Sequence, residues 1–97
     1  MKILAIQKEV PGVDPRDITE VLLRDEAIAA YNLYLEGIFR EIYFRYDKDS
    51  AIIILENDSI EEARKSLYRL PLVKENLIDF DLIPLRAYPG FKRLFKE

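Results

Sequence analysis

The stretch that decides the fold spans residues 18–46 and reads ITEVLLRDEAIAAYNLYLEGIFREIYFRY. Its first part predicts a helix over residues 18–36, because apolar residues recur there at intervals of three and four. Gly37 suits the C-terminal cap of this helix, since glycine tolerates a left-handed backbone. Over residues 38–46 successive side chains fall into two alternating sets, as they do on the two faces of a β-strand. The stretch therefore predicts a long helix that is followed at once by a strand.

An acidic side chain lies within the apolar stripe of this helix. At about 100° per residue, the stripe runs through Leu22, Glu26, Ala29 and Leu33. Burying an ionised carboxylate without a partner costs several kcal/mol, so Glu26 must be paired, be protonated through a raised pKa, or lie beside a cavity. The alternative is a side chain that turns its carboxylate to solvent or to an arginine. Glu26 is thus the strongest functional candidate in the sequence.

The composition is that of one globular domain, residues 1–97, without the side chains that most metal and thiol sites need. The chain is 49% hydrophobic and contains neither cysteine nor histidine. Disulfides, thiol nucleophiles, imidazole bases and nearly all zinc, copper, iron and haem sites are thereby excluded. We expect no metal and no cofactor.

The charge distribution argues against nucleic acid and membranes as partners. The net charge is -3, and the lysines and arginines are scattered rather than clustered, whereas a phosphate backbone needs a concentrated basic face. Residues 1–10 hold only a short apolar run, too brief for a signal sequence or a membrane span. We expect a cytoplasmic protein.

The rest of the chain supplies three more strands and a second helix. The predicted strands are Lys2–Glu9, Ala51–Glu56 and residues 78–86. Pro84 places the last of them at a sheet edge, because proline cannot donate to a ladder. Ser59 and Glu62 form a capping box that begins the second helix, and Pro71 is expected to end it.

Two pairs of aspartates are candidate cation sites, Asp14 with Asp17 and Asp47 with Asp49, and a third pair on one strand face, Asp79 with Asp81, could act as paired acids. The first two pairs also suit capping and turn chemistry, and Asp14 or Asp17 would cap the first helix. The third suits a solvated strand edge. We favour these ordinary roles over metal binding.

The order strand, helix, strand, strand, helix, strand predicts a ferredoxin-like α+β sandwich, in which both helices cover one face of a four-stranded antiparallel sheet. In residues 38–46 the set expected to meet the helices is Ile38, Arg40, Ile42, Phe44 and Tyr46. The other face would carry some of Gln7, Tyr43, Arg45, Ile52, Ile54 and Phe80.

That second face predicts association with other copies of the chain. An apolar face of sheet size is rarely left in water, so two sheets packed face to face would form a dimeric α+β barrel. We expect a homodimer or a higher homo-oligomer. The tail, residues 86–97, carries an apolar stripe of Phe91, Leu94 and Phe95 and would dock on its own subunit or on a neighbouring one.

Four features spread along most of the chain carry a resemblance to a known family. They are Asp25-Glu26 in the first helix, Glu36-Gly37 followed by Phe39-Arg40, Ser59 at the start of the second helix, and Leu70-Pro71-Leu72 before the last strand. In these features the chain resembles the muconolactone isomerase family of dimeric α+β barrels. The resemblance implies dimers that assemble further, and metal-independent isomerisation of a lactone by proton movement.

The same resemblance implies roles for particular residues. Glu26 matches a helix carboxylate that would be the catalytic base, and Arg40 matches the arginine after the aromatic residue. Family enzymes have a histidine after that arginine and a tryptophan nearby, where this chain has Glu41 and Tyr43 and contains no histidine or tryptophan.

The sequence leaves three functions open. The first is a cofactor-free isomerase of a small carboxylated lactone or related organic acid, with Glu26 as the base. Arg40 or Arg45 would hold a carboxylate or an enolate, and Tyr43 or Tyr46 would donate to the developing oxyanion. The second is a non-catalytic small-ligand-binding or assembly module of the same barrel shape. The third, a cofactor-free oxygenase, is disfavoured by the missing tryptophan and histidine.

Overall fold

A computed structural model describes residues 1–95, which form four strands and three α-helices. The elements are β1 (Lys2–Glu9), α1 (Glu20–Leu35), β2 (Phe39–Phe44), β3 (Ala51–Glu56), α2 (Ile60–Leu67), α3 (Pro71–Lys74) and β4 (Ile78–Pro84). The sheet is antiparallel, in the order β2-β3-β1-β4. The predicted ferredoxin-like α+β architecture is confirmed, and β4 with Pro84 lies at an edge of the sheet.

Helix α1 begins at a threonine rather than at an aspartate. Thr19 Oγ1 accepts a hydrogen bond of 3.1 Å from the N–H of Leu22. Asp14 instead caps a short 3₁₀ helix, Pro15–Asp17, by accepting from the N–H of Arg16 at 2.9 Å. The predicted aspartate cap of α1 is therefore wrong, because an additional turn separates the loop from the helix.

Gly37 ends α1 as the sequence predicts. Its φ is +79°, in the left-handed region that glycine tolerates. The N–H of Gly37 donates to the carbonyl of Tyr34 at 3.0 Å, and the N–H of Ile38 donates to the carbonyl of Leu33 at 3.0 Å. This pair of bonds is a Schellman motif, which turns the chain sharply into β2.

The core lies between the helices and one face of the sheet. Its buried members include Ile3 and Ala5 on β1, Ile53 and Leu55 on β3, Phe39 on β2, Phe80 on β4, Leu33 on α1, and Ala63 and Leu67 on α2. Leu33 is fully buried, so the predicted stripe of α1 does face the sheet. No helix within residues 1–95 combines the length and the apolar character needed to cross a membrane.

A bulge in β2 changes which side chains meet the helices. Phe39 is opposite Leu55, but Glu41 is opposite Ile54, so Arg40 is the inserted residue. Phe39, Ile42 and Phe44 share the helix side of the sheet as a result. The predicted alternation was right for Ile42 and Phe44 and wrong for Phe39 and Arg40, because the bulge shifts the phase of the strand by one residue.

The sheet face away from the helices is largely apolar and uncovered within the described chain. The strand register places on it Leu4, Ile6, Ile52, Ile54, Tyr43 and Ile83. At its β4 side, Lys8 Nζ lies 2.8 Å from Asp81 and 3.8 Å from Asp79. Of the six residues predicted to supply this face, Tyr43, Ile52 and Ile54 lie on it, whereas Gln7 and Phe80 are paired on the helix side, where Phe80 is buried.

The C-terminal segment extends away from the body of the molecule. The radius of gyration is 15.9 Å, whereas a compact chain of this length has about 12.5 Å. A second 3₁₀ helix, Gly90–Phe95, exposes Phe91, Leu94 and Phe95. Docking of the tail stays a prediction, and its last two residues, 96 and 97, lie outside the described residues.

Helix α2 begins at Ser59 as predicted, but the capping box is only half formed. Ser59 Oγ accepts from the N–H of Glu62 at 3.1 Å, while the Glu62 carboxylate lies 3.3 Å from Lys65 Nζ. The expected end at Pro71 was wrong: α2 ends at Leu67, and Pro71 is the first residue of α3. Proline is favoured there because the first helical N–H needs no partner.

Loss of this cap gives a stability prediction. Ser59→Ala removes the acceptor for the Glu62 N–H, and we expect it to lower the free energy of unfolding by about 1 kcal/mol. Urea denaturation monitored by circular dichroism measures the change. Ser59→Asp serves as the control, since it keeps an acceptor and should retain stability; equal stability of the alanine variant would contradict the capping role.

Candidate functional site

A cavity of about 280 Å³ lies between α1 and the helix side of the sheet. Its walls come from α1, from all four strands and from the start of α3, and they include Phe39, Phe44, Leu70 and Phe80. This volume lies just below the roughly 300 to 1,000 Å³ that is common for ligand pockets, so the cavity has room only for a small molecule. A depression of about 420 Å³ at the start of α1 is more open to solvent and is lined on several sides by carboxylates.

Glu26 enters this cavity from α1 and is held by a backbone bond. Its Oε1 accepts from the N–H of Leu72 at 2.9 Å. Leu72 follows Pro71, which has no N–H, and Leu70 supplies no side-chain cap. Glu26 therefore caps α3 from a separate helix. Within residues 1–95 no group donates a hydrogen bond to the other carboxylate oxygen, Oε2.

The surroundings of Glu26 alter its proton affinity. Burial in the cavity raises the pKa of the carboxyl above the usual value for glutamate, and the hydrogen bond from Leu72 opposes that rise. The carboxylate is half-buried and lies beside a cavity. This is one of the three arrangements expected for an acidic residue within the apolar stripe of α1. A carboxyl with a raised pKa can accept and return a proton nearer to neutral pH.

Gln7 is the second polar side chain of the cavity. Its Oε1 accepts from the N–H of Ala51 at 2.8 Å. Because an N–H requires an acceptor, this bond fixes the orientation of the amide, and Nε2 has no acceptor within residues 1–95. Sequence reasoning missed Gln7 as a site residue. The available signal was a polar residue that continues the inward alternation of Ile3 and Ala5.

The two candidate arginines do not line the cavity. Arg40 is exposed, and its Nε donates to the carbonyl of Gly37 at 2.7 Å. Arg45 binds Asp47 through Nε at 2.8 Å and through Nη2 at 2.6 Å. The described chain therefore does not bring either guanidinium together with Glu26.

The two candidate tyrosines lie outside the cavity as well. Tyr43 is on the open sheet face, where its hydroxyl donates to Glu41 Oε1 at 2.6 Å. That hydrogen bond raises the pKa of Tyr43, because it stabilises the protonated phenol beside a carboxylate. Tyr46 is fully exposed in the loop between β2 and β3. Any role for these tyrosines in binding would require a surface outside this cavity.

At least one aspartate of each predicted pair forms an ion pair with a lysine or arginine of the chain itself. Arg16 binds Asp14 at 2.8 Å, and Lys8 bridges the pair on β4. Within residues 1–95 no group of three or more acidic, histidine or cysteine side chains is arranged to hold a metal ion. The ordinary roles favoured for these aspartates agree with these contacts.

Comparison with solved structures identifies the architecture. A crystal structure of muconolactone isomerase superposes with a TM-score of 0.74 and 24% identity, over 93% of this chain and 93% of that chain. The fold is that of muconolactone isomerase. The 5-chloro-2-hydroxyhydroquinone dehydrochlorinase TftG of Burkholderia phenoliruptrix AC1100, solved in complex with 2,5-dihydroxybenzoquinone, matches with a TM-score of 0.60 and 19% identity, over 93% of this chain and 98% of that chain.

The likeness to muconolactone isomerase confirms the resemblance drawn from the sequence and extends over nearly the whole of both chains. No family model and no curated protein matches this chain. At identities below 25% the shared feature is the fold itself. The chemistry must therefore be argued from the residues of the cavity.

Proposed function

We propose that this protein is a cofactor-free isomerase that moves a proton on a small carbonyl compound such as a lactone, with Glu26 as the base. The observation that carries the proposal is a half-buried carboxylate that keeps one oxygen free beside an apolar cavity. The fold shared with muconolactone isomerase supports it. No cofactor is required for proton transfer next to a carbonyl.

The proposed reaction conserves every atom of the substrate. Glu26 Oε2 takes a proton from a carbon next to the carbonyl, and the electrons of the broken C–H bond delocalise onto the carbonyl oxygen as an enolate. Glu26 then returns the proton to a carbon further along the conjugated system, so that the double bond shifts. The apolar walls disfavour water and strengthen the electrostatic interactions of the enolate.

The runner-up function is a non-catalytic binding module. Glu26 caps α3, and a carboxylate with a structural role needs no substrate. The cavity could then bind a small ligand without changing it. The two functions differ in one observable, the exchange of substrate hydrogen with solvent.

We also propose a homodimer formed through the open sheet face. Its apolar centre of Leu4, Ile6, Ile52 and Ile54 is only partly buried within one chain. Apolar patches of this kind on soluble proteins mark interaction surfaces. Exposed Phe91 and Phe95 of the tail would add a contact to a neighbouring copy.

Hydrogen exchange in heavy water tests the catalytic proposal. The protein, freed of metals by a chelator, is incubated in D₂O with a five-membered unsaturated lactone, and proton NMR follows the signals next to the carbonyl. We expect deuterium to enter those positions at a rate proportional to protein concentration. Ligand-induced thermal stabilisation without any exchange would contradict the isomerase and support the binding module.

A further inference from the structure

Two polar side chains restrict the kind of ligand that the cavity takes. Gln7 and Glu26 are the polar side chains of its wall within the described residues, and the remaining side chains are apolar. Phe39, Phe44 and Phe80 supply flat surface that suits a ring. A matching ligand is therefore apolar, except for groups that form hydrogen bonds with the Gln7 amide and the Glu26 carboxyl.

The orientation of the Gln7 amide leaves its NH₂ group, a hydrogen-bond donor, available to a ligand. The 2.8 Å bond from the Ala51 N–H occupies one of the two acceptor positions of Oε1 and identifies the opposite end of the amide as the NH₂ group. Nε2 is the end without an acceptor within residues 1–95, so it can donate a hydrogen bond to a ligand that enters the cavity. A carbonyl oxygen of the ligand is the complementary group.

The charge of the wall opposes a carboxylate ligand. Among residues 1–95 no lysine or arginine lines the cavity, and Arg40 and Arg45 are bonded to Gly37 and Asp47. A free carboxylate would lie in apolar surroundings without a counter-ion and beside the acidic Glu26. Two like charges at one such site are strongly disfavoured.

We infer that the cavity takes a small uncharged ring compound with a conjugated carbonyl, a lactone or enone without a free carboxylate, and that Gln7 Nε2 donates to its carbonyl oxygen. This replaces the arginine-bound carboxylate that the sequence suggested. The role of the same hydrogen bond in stabilising an enolate rests on the proposed function. The choice of ligand does not, because binding alone can test it.

Two probes that differ in charge test the ligand class. One is a five-membered unsaturated lactone with a methyl substituent, and the other is the same ring with a carboxymethyl substituent. In NMR titrations at slightly alkaline pH we expect the methyl lactone to shift resonances of residues in the cavity wall. We expect the carboxymethyl lactone to bind at least roughly tenfold more weakly. Equal or tighter binding of the carboxymethyl lactone, or no binding of the methyl lactone, would overturn the inference.

The carbonyl stretch of the bound lactone tests the role of Gln7. With a ¹³C-labelled carbonyl, infrared difference spectra should show a lower frequency on the wild-type protein than in solution. Gln7→Met should return the frequency toward the free value and weaken binding by about three- to tenfold, the range for one neutral hydrogen bond. In ¹⁵N-labelled wild-type protein the side-chain NH₂ resonances of Gln7 should shift when the methyl lactone binds, which tests the same hydrogen bond even if the methionine variant folds poorly.

The outcomes separate this inference from the proposed function. A carbonyl frequency on Gln7→Met equal to that on the wild-type protein, or Gln7 side-chain resonances that do not shift on binding, would overturn the role of Gln7. Binding of the methyl lactone with a lowered frequency but without deuterium uptake would support the inference and reject the isomerase.

Discussion

Glu26→Gln is expected to lower turnover by roughly 100- to 10,000-fold, the range for removal of a general base. The variant keeps an oxygen that can accept from the Leu72 N–H, so α3 retains its cap. What it loses is the ability to take up a proton. The deuterium-exchange rate of the lactone measures the effect directly, and the circular dichroism spectrum should be unchanged.

Two control variants sharpen the test of Glu26. Asp25→Asn neutralises the neighbouring carboxylate, which is exposed and lines the depression at the start of α1 instead of the cavity. It should leave turnover within about twofold of the wild-type rate. Glu26→Ala removes both the base and the cap, so it should lose turnover and stability together. An unimpaired Glu26→Gln variant would reject the catalytic role and leave only the capping role.

The raised pKa of Glu26 predicts how stability and activity depend on pH. The folded protein binds this proton more tightly than the unfolded chain does, so the stabilisation from protonation is fully present below the unfolded-state pKa. It is lost as the pH rises through the higher folded-state pKa. At neutral pH, Glu26→Gln should therefore unfold at a temperature equal to or above that of the wild type, and the difference should shrink in acid. Turnover should fall as the pH decreases through the same raised pKa.

Local sequence signals predict much of the fold. The bounds of β1 and β3 match the prediction, because each strand is a short apolar run with clear ends. Gly37 marked the end of α1 through the left-handed backbone that its position requires. Ser59 marked the start of α2 through one short side-chain bond. Each of these features depends only on residues within a few positions of one another.

Which side chains form the cavity wall depends on contacts between residues far apart in the sequence. No local sequence pattern predicts such contacts. The bond between Glu26 and Leu72 joins residues 46 positions apart, and the amide of Gln7 is fixed by Ala51, 44 positions away. Arg40 and Glu26 both match the family, yet Arg40 lies at the bulge in β2 and donates to the backbone of Gly37, outside the cavity. The apolar stripe of α1 thus predicts that the Glu26 side chain faces the core, whereas the place of Gln7 in the cavity wall depends on the register of the sheet.

The second large effect concerns the open sheet face, where Ile54→Lys is expected to convert a homodimer into a monomer. Ile54 lies on β3 opposite Leu4 of one neighbouring strand and Glu41 of the other, near the centre of the face. Burying a lysine there removes its charge from water, at a cost of several kcal/mol that the neighbouring Glu41 carboxylate only partly offsets, so we expect association to weaken by at least roughly 100-fold. Light scattering after size-exclusion chromatography should give twice the 11.4 kDa chain mass for the wild type and the single mass for the variant.

A matched substitution distinguishes the open face from the rest of the surface. Tyr68→Lys adds the same charge at an exposed apolar residue that follows α2, on the other side of the sheet. It should leave the dimer intact, because that position is outside the proposed interface. Because Ile54 is already partly exposed in one chain, the lysine variant should remain folded as a monomer. A wild-type protein that runs as a monomer, or an Ile54→Lys variant that stays dimeric, would show that the open face is not the interface.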